Sequence, residues 1–248
     1  MKSRGTMIVL AVMIVAAFAL TSCGGGKATE IKIGGISPLT GEAATFGQST
    51  KNGMELAVEE WNAAGGVLGK QVKLIVEDDK GDPAEGAAVF SKLIEQDKVV
   101  AIVGGITSRV ALAGAPIAQA AKVPMVTPTA TNEKVTQVGD YIFRSCFIDP
   151  FQGSVMAKFA VQDLGILNAG VIFDLGNDYS KGLAETFSAS LTSLGGQVLA
   201  SEGYPSGATD FKAQLTKIVQ AKPEAVYIPA YYNDVGLIAK QIRELGYE

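Results

Sequence analysis

Residues 99–108, VVAIVGGITS, carry the clearest signal of the fold, because they lead from a strand through two glycines into a helix. The apolar, β-branched run at 99–103 is typical of a strand that is buried on both faces. The residues that follow, 108–121, have the length and the apolar spacing of a helix. A strand that leads into a helix in this way indicates a βαβ unit with parallel strands.

The alternation of strand and helix extends from this stretch in both directions. Apolar runs predict strands at 31–36, 72–76, 99–103, 123–126, 141–144, 169–173, 198–201 and 226–228. Helical patterns lie at 47–64, after Asp82-Pro83, and at 108–121, 152–164, 180–194, 211–221 and 234–245. This order predicts an α/β protein with two doubly wound parallel sheets, one in a lobe of residues 31–147 and one in a lobe of residues 148–248.

Several local signals support these helices. Asp82 is placed to accept hydrogen bonds at the start of its helix. Glycines stand just past three helix ends, at Gly165, Gly195 and Gly246. On the helix at 47–64, the apolar face is supplied by Met54, Leu56, Ala57, Val58 and Trp61.

The first 23 residues indicate where the protein works. Lys2 and Arg4 precede an apolar run at 7–20, which ends in small residues before Cys23. The run is shorter than the roughly 20 residues that a membrane-spanning helix needs. It resembles a bacterial lipoprotein signal, which implies removal of residues 1–22, a lipid on Cys23 and a flexible tether at 23–30. We expect an exported protein, lipid-anchored in the periplasm or on the outer cell surface, with a plain secretory signal or membrane anchor as the alternative.

Composition excludes several classes of function. Removing residues 1–22 takes away two basic residues and no acidic one, which leaves 19 basic against 25 acidic residues and a net charge of −6. This charge argues against a nucleic-acid partner.

The sequence contains no histidine, so Ser-His-Asp and Cys-His nucleophiles and His-ligated zinc are absent. We expect no catalysis, no cofactor and no metal. Cys146 is the cysteine that remains beside Cys23, so we expect no intramolecular disulfide.

Two partial motifs have simpler explanations. Residues 64–70 approach a phosphate-binding loop, but Gln71 replaces its Ser or Thr, and the segment leads into a strand. A helix stop and turn explains it better. Asp78, Asp79 and Asp82 do not have the spacing of a calcium loop, and helix capping with solvated loop charge accounts for them.

Two loops at the carboxyl ends of strands are the candidate site. The loop at 103–108 offers free backbone N–H groups and the hydroxyls of Thr107 and Ser108, which suit a ligand carboxylate. The alternative is that one of these hydroxyls merely caps the helix. The loop at 127–132 is rich in hydroxyls and either contacts a ligand ammonium group or forms a turn.

These segments together resemble a known family. The resemblance rests on the run at 33–41 with Phe46-Gly47, the turn at 62–69, the acidic residues at 78–83, the loops at 104–108 and 128–131, and residues 143–153 and 179–182. It covers nearly everything from Ile31 onward. The chain resembles the type I periplasmic binding proteins, and more narrowly the leucine/isoleucine/valine-binding proteins of ABC importers. The resemblance implies two lobes on a hinge that close around an amino acid or related molecule and deliver it to a permease and ATPase complex.

The resemblance also implies roles for individual residues. Ser108, with Thr107 beside it and Thr131 assisting, would bind the ligand carboxylate through its hydroxyl and backbone amide. Thr129 would present its main-chain carbonyl to the ligand ammonium. An aromatic and apolar wall would come from Phe46, Tyr179 and Tyr231. Ordinary packing beside Tyr227 is the alternative for Tyr231. Arg109 stands where small residues are usual, and it points either towards the carboxylate site or to solvent.

The resemblance further implies that the C-terminal part is missing. The family continues beyond the position of Glu248 into the strand and loop that hold the partner of the ligand ammonium. We therefore expect the gene to continue by roughly a further hundred residues. A ligand sensor for a signalling partner and, more remotely, an extracytoplasmic enzyme are the alternative functions. Which solute is bound is left open, with branched-chain amino acids as the first hypothesis.

Overall fold

The computed structural model describes residues 30–247, and it confirms the predicted α/β fold with parallel sheets. The strands are β1 (Ile31–Ser37), β2 (Val72–Asp78), β3 (Ala101–Gly104), β4 (Met125–Thr127), β5 (Ile142–Arg144), β6 (Asn168–Asp174), β7 (Gln197–Tyr204) and β8 (Ala225–Tyr227). The helices are α1 (Ala44–Ala63), α2 (Pro83–Glu95), α3 (Ser108–Ala121), α4 (Lys134–Gln137), α5 (Asp149–Lys158), α6 (Asp178–Ser193), α7 (Lys212–Gln220) and α8 (Tyr232–Glu244). The predicted signal, Cys23 and nearly all of the predicted tether lie outside the described residues.

The strands form two parallel sheets. The first has the order β2-β1-β3-β4-β5, and the second has the order β7-β6-β8. Within each sheet every pair of neighbouring strands is parallel. The carboxyl ends of all strands in a sheet therefore meet at one edge, where the loops that lead into the helices gather.

Each sheet has its own hydrophobic core. In the first lobe, Phe90 and Leu93 of α2 and Ala111 and Ala115 of α3 pack with Ile102 of the central strand β3. In the second lobe, two clusters cover the sheet, one around α6 and one between α7 and α8. The two lobes are thus separately packed bodies that contact each other along their strand-end loops.

Most local signals are confirmed. Asp82 accepts hydrogen bonds from the amides of Ala84 and Glu85 at the start of α2. Gly165, Gly195 and Gly246 all have positive φ angles past helix ends, a backbone conformation that glycine adopts most readily. The segment at 65–70 is a turn closed by a bridge between Val67 and Lys70.

The apolar face of α1 is buried only in part by the described residues. Met54 is buried, and its end lies over Gly35 of β1. Leu56 and Trp61, however, are 57% and 60% exposed. The described residues leave more than half of each of these side chains uncovered, and the apolar spacing of a helix does not itself encode what packs against it. The helix also begins three residues earlier than predicted, at Ala44.

Two further features differ from expectation. The predicted helix at 152–164 begins at Asp149 and changes to a π-helical turn at Phe159–Asp163. The short helix α4 was not predicted, because its one turn is too brief to show a period.

Among residues 30–247, no helix has both the length and the apolar character needed to cross a membrane. Within the same residues Cys146 is a free, partly buried thiol.

Candidate functional site

A cavity of about 300 Å³ lies between the two lobes at the carboxyl ends of their strands. All seven residues that the sequence analysis singled out for ligand binding line it: Phe46, Thr107, Ser108, Thr129, Thr131, Tyr179 and Tyr231. Five further lining residues were not singled out: Ile106, Phe147, Gln152, Ala230 and Tyr232. The structure therefore brings together around one cavity residues that are more than 180 positions apart in the chain.

The amino end of α3 forms the polar floor of the cavity. Thr107 occupies the N-cap position with an extended backbone, but its side chain makes no capping hydrogen bond. Its buried hydroxyl has no hydrogen-bond partner among residues 30–247. The hydroxyl oxygen of Ser108 instead accepts a hydrogen bond of 3.2 Å from the amide of Asn132. The capping alternative is therefore wrong, because neither hydroxyl caps α3 within residues 30–247, and the amides of the first turn are placed to bind an anion.

The glycine turn before α3 brings this helix end close to the sheet. Gly105 has a φ angle of +67°, a left-handed conformation that disfavours residues with a Cβ. A Cβ built on Gly105 would also lie 2.9 Å from the terminal methyl of Met125. At Gly104 a Cβ would overlap the backbone of Ile36. Both positions need glycine for the turn to pass this close to β1 and β4.

Threonine hydroxyls hold the second loop against the first. The Thr127 hydroxyl donates to the carbonyl of Gly105 at 2.7 Å, and the Thr129 hydroxyl donates to the carbonyl of Ile106 at 2.6 Å. The carbonyl of Thr131 accepts from the amide of Asp149 at 2.9 Å, which ties the loop to the start of α5. The loop at 127–132 is therefore a fixed polar wall between the lobes, because both of its ends are held.

Aromatic rings form the opposite wall. Tyr179 and Tyr231 of the second lobe stack with ring centroids 5.2 Å apart and an angle of 5° between planes. Phe46 of the first lobe packs at 6.3 Å from the Tyr231 ring. Burial raises the pKa of both tyrosines, so their hydroxyls are neutral at physiological pH. Tyr227, the neighbour that the alternative assigned to Tyr231, stacks on Phe187.

The acidic loop after β2 lies outside the cavity. Asp78 accepts hydrogen bonds from the amide of Leu39 and the hydroxyl of Thr40. Asp79 is fully buried, so the expectation of solvated charge is wrong for this residue. Burial raises its pKa to about 6, and the positive charge of Arg109 opposes part of that rise. Arg109 is half-buried and extends towards Gly81, and it does not line the cavity.

The residues that sequence reasoning missed differ in the signal that they offered. Phe147 and Tyr232 follow β5 and β8, at the same strand-end edge as the predicted residues, and that position was a usable signal. Gln152 lies on α5, which begins three residues before the predicted start of this helix. Among residues 30–247, no group of three or more Cys, Asp or Glu side chains is placed to hold a metal ion.

Comparison with known proteins agrees with this architecture. The sequence model of a family described as "Periplasmic binding protein" matches residues 30–248. The Leu/Ile/Val-binding protein BraC3 of Rhizobium johnstonii is 36% identical over 218 residues, which are 88% of this chain and 59% of that protein. The leucine-, isoleucine-, valine-, threonine- and alanine-binding protein of Pseudomonas aeruginosa is 32% identical, over 95% of this chain and 62% of that protein.

Solved structures show the same similarity. The leucine binding protein LivK of Thermotoga maritima aligns with a TM-score of 0.83 and 43% identity, covering 88% of this chain and 61% of that one. The branched-chain amino acid transporter substrate binding protein LivJ of Streptococcus pneumoniae, solved in complex with isoleucine, aligns with a TM-score of 0.82 and 37% identity, over 89% and 62% of the two chains. The chain thus spans about three fifths of the length of these relatives.

Proposed function

This chain belongs to the periplasmic binding protein family, and on that premise we propose that it is the solute receptor of an ABC importer. Its ligand is a branched-chain amino acid or a related small molecule, which it captures between the lobes and delivers to a membrane permease and ATPase complex. The role is binding without catalysis. The observation that carries the proposal is one cavity with a polar helix end on one side and stacked aromatic rings on the other.

The floor of the cavity suits the ligand carboxylate. The first turn of α3 presents its backbone amides at the positive end of the helix dipole. Beside them, the Thr107 hydroxyl is buried without a partner among the described residues. A buried hydroxyl without a partner costs roughly 1–3 kcal/mol, which an anionic ligand oxygen would recover. Ser108 and Thr131 complete this anion site in our proposal.

The remaining walls suit the rest of an amino acid. In our proposal the main-chain carbonyl of Thr129 accepts from the ligand ammonium. Its side-chain hydroxyl is already engaged with Ile106, so the ammonium contact falls to the backbone. The rings of Phe46, Tyr179 and Tyr231 then enclose an apolar side chain. These rings come from both lobes, so a ligand gains its full contacts only when the lobes are closed.

The proposal extends to where the protein works. We propose that residues 1–22 are a lipoprotein signal and that Cys23 carries the lipid anchor, which holds the binding lobes outside the cytoplasm at a membrane. The family of the chain supports an extracytoplasmic location. Metabolic labelling with a fatty acid would detect the anchor in the natural protein, and Cys23→Ser should abolish the label. A label that persists in Cys23→Ser would contradict this assignment.

A thermal-melt screen with leucine, isoleucine and valine tests the function. Ligand at a hundred times its dissociation constant should add about 2.7 kcal/mol of stability. Ser108→Ala should weaken binding about 10- to 100-fold, because it removes a hydrogen bond to a charged group. Ser193→Ala on the exposed end of α6 is the matched control and should bind like the unaltered chain. A well-folded protein whose melting midpoint responds to none of these amino acids would overturn the assignment of ligand.

A further inference from the structure

Tyr232 makes contacts across the mouth of the cleft. It is the first residue of α8 in the second lobe, and its side chain is 43% exposed. Its ring lies 5.4 Å from the ring of Phe46 in the first lobe. Its hydroxyl donates to the backbone carbonyl of Glu42 and lies 3.0 Å from the hydroxyl of Thr45. One side chain therefore contacts three residues of the opposite lobe.

The neighbour of Tyr232 strengthens the same contact. The side-chain amide of Asn233 donates to the carbonyl of Glu42 at 3.3 Å. Tyr231, on the other side, turns its ring inward to stack on Tyr179. Tyr231 thus stacks on a ring of its own lobe, whereas the next two side chains both donate hydrogen bonds to the first lobe.

The first lobe offers a suitable acceptor at this point. The hydrogen-bond ladder of α1 begins with the amide of Gly47 donating to the carbonyl of Ala43. The Glu42 carbonyl stands one residue before that ladder and accepts instead from Tyr232 and Asn233. The contact is therefore built from backbone and neutral side-chain groups, which leave its strength nearly independent of salt.

We propose that Tyr232 and Asn233 form a latch that holds the cavity closed and sets how long a ligand stays. The latch consists of these two residues with Glu42, Thr45 and Phe46. It closes over the mouth, outside the floor that holds the carboxylate, so it acts on release more than on recognition. The inference rests on the proposed function for its ligand and on the structure alone for its geometry.

Tyr232→Phe tests the latch with little other change. The substitution keeps the ring against Phe46 and removes only the hydroxyl that reaches Glu42 and Thr45. We expect leucine to dissociate about 3- to 10-fold faster in stopped-flow measurements, with the association rate unchanged, as loss of a partly exposed hydrogen bond predicts. Tyr247→Phe is the matched control, because its hydroxyl also donates to a backbone carbonyl, that of Pro223, but within the second lobe.

Hydrogen exchange gives a second readout that needs no ligand. Amides at 42–47 should exchange faster in Tyr232→Phe than in the unaltered chain or in Tyr247→Phe. Faster exchange with faster leucine release, in Tyr232→Phe alone, supports the latch. Unchanged exchange and release, or equal changes in Tyr247→Phe, overturn it. If amides 42–47 exchange faster in Tyr232→Phe but the unaltered chain does not bind leucine, the latch is supported and the proposed ligand is wrong.

Discussion

Burial raises the pKa of two carboxyl groups, Asp79 and Asp149, to about 6. Asp79 is fully buried at the end of β2. One of its oxygens accepts from the amide of Gly81 at 2.7 Å, while the other has no partner among residues 30–247. A charged oxygen in that position is poorly solvated, so the protonated form of Asp79 is favoured in the folded protein.

Because Asp79 is buried, we expect the effect of Asp79→Asn on the stability of the protein to depend on pH. The carboxyl pKa rises from 3.8 when unfolded to about 6 when folded, so the native state binds more protons between these values and stability falls as pH rises through this window. Asparagine cannot ionise and can still accept from Gly81. We expect Asp79→Asn to be more stable at pH 7 by about 1–3 kcal/mol, and the gain to vanish below about pH 4.

Urea unfolding at pH 4, 5, 6 and 7 would measure this difference. Asp163→Asn, at an exposed carboxyl group, is the control and should change stability little at any of these pH values. If the stability of Asp79→Asn follows that of the unaltered chain in parallel from pH 4 to pH 7, the carboxyl of Asp79 is not the group that titrates.

At the scale of elements, close helix packing depends on a glycine. Helices α2 and α3 cover the same face of the first sheet, and Phe90 of α2 is fully buried between them and the sheet. A Cβ built on Gly114 of α3 would overlap the ring of Phe90. Gly114 therefore lets the two helices approach, although glycine costs about 1 kcal/mol in a helix relative to alanine.

Gly114→Ala should accordingly destabilise the protein. We expect a net loss of about 1–3 kcal/mol in the free energy of unfolding, because the overlap with Phe90 outweighs the gain in helix propensity. Gly236→Ala on α8 is the matched control, since a Cβ there meets no heavy atom within 4 Å. It should stabilise by up to about 1 kcal/mol. Equal effects of the two substitutions in denaturant titrations would show that packing against Phe90 is not the cause.

At the scale of the whole molecule, contacts between strand-end loops join two lobes that each have their own hydrophobic core. One of these contacts is made by the buried side chain of Asn132, whose amide donates to the carbonyl of Asp178 in the second lobe at 3.0 Å. Asn132 also holds the floor of the cavity through its backbone bond to Ser108. The lobes are thus coupled at the same place where the site is built.

Asn132→Ala should weaken this coupling more than it weakens either lobe. In calorimetry we expect the ratio of calorimetric to van't Hoff enthalpy to rise, because the lobes then unfold less cooperatively. Asn62→Ala is the comparison, since Asn62 makes two hydrogen bonds to Val72 inside the first lobe. It should lower the melting midpoint with the ratio unchanged. A ratio that stays constant in Asn132→Ala would rule out this role.

The order of strands and helices could be predicted from the amino-acid sequence, because it depends on local apolar spacing, caps and glycines. Asp82 and the glycines at helix ends are examples, since each acts on its own neighbours in the chain. The glycine turn before α3 also marked one strand-end loop of the cavity. Grouping all seven site residues in advance needed the family resemblance, because spacing alone does not show which distant loops meet.

Which distant residues pack against each other could be read from the tertiary structure alone. It exposed Trp61, buried Asp79, and brought Tyr231 onto Tyr179 and Tyr232 onto Glu42. Each of these outcomes depends on a partner far away in the chain, or on the absence of one among the described residues. Burial and pairing are properties of two surfaces in contact, and a local pattern describes only one of them.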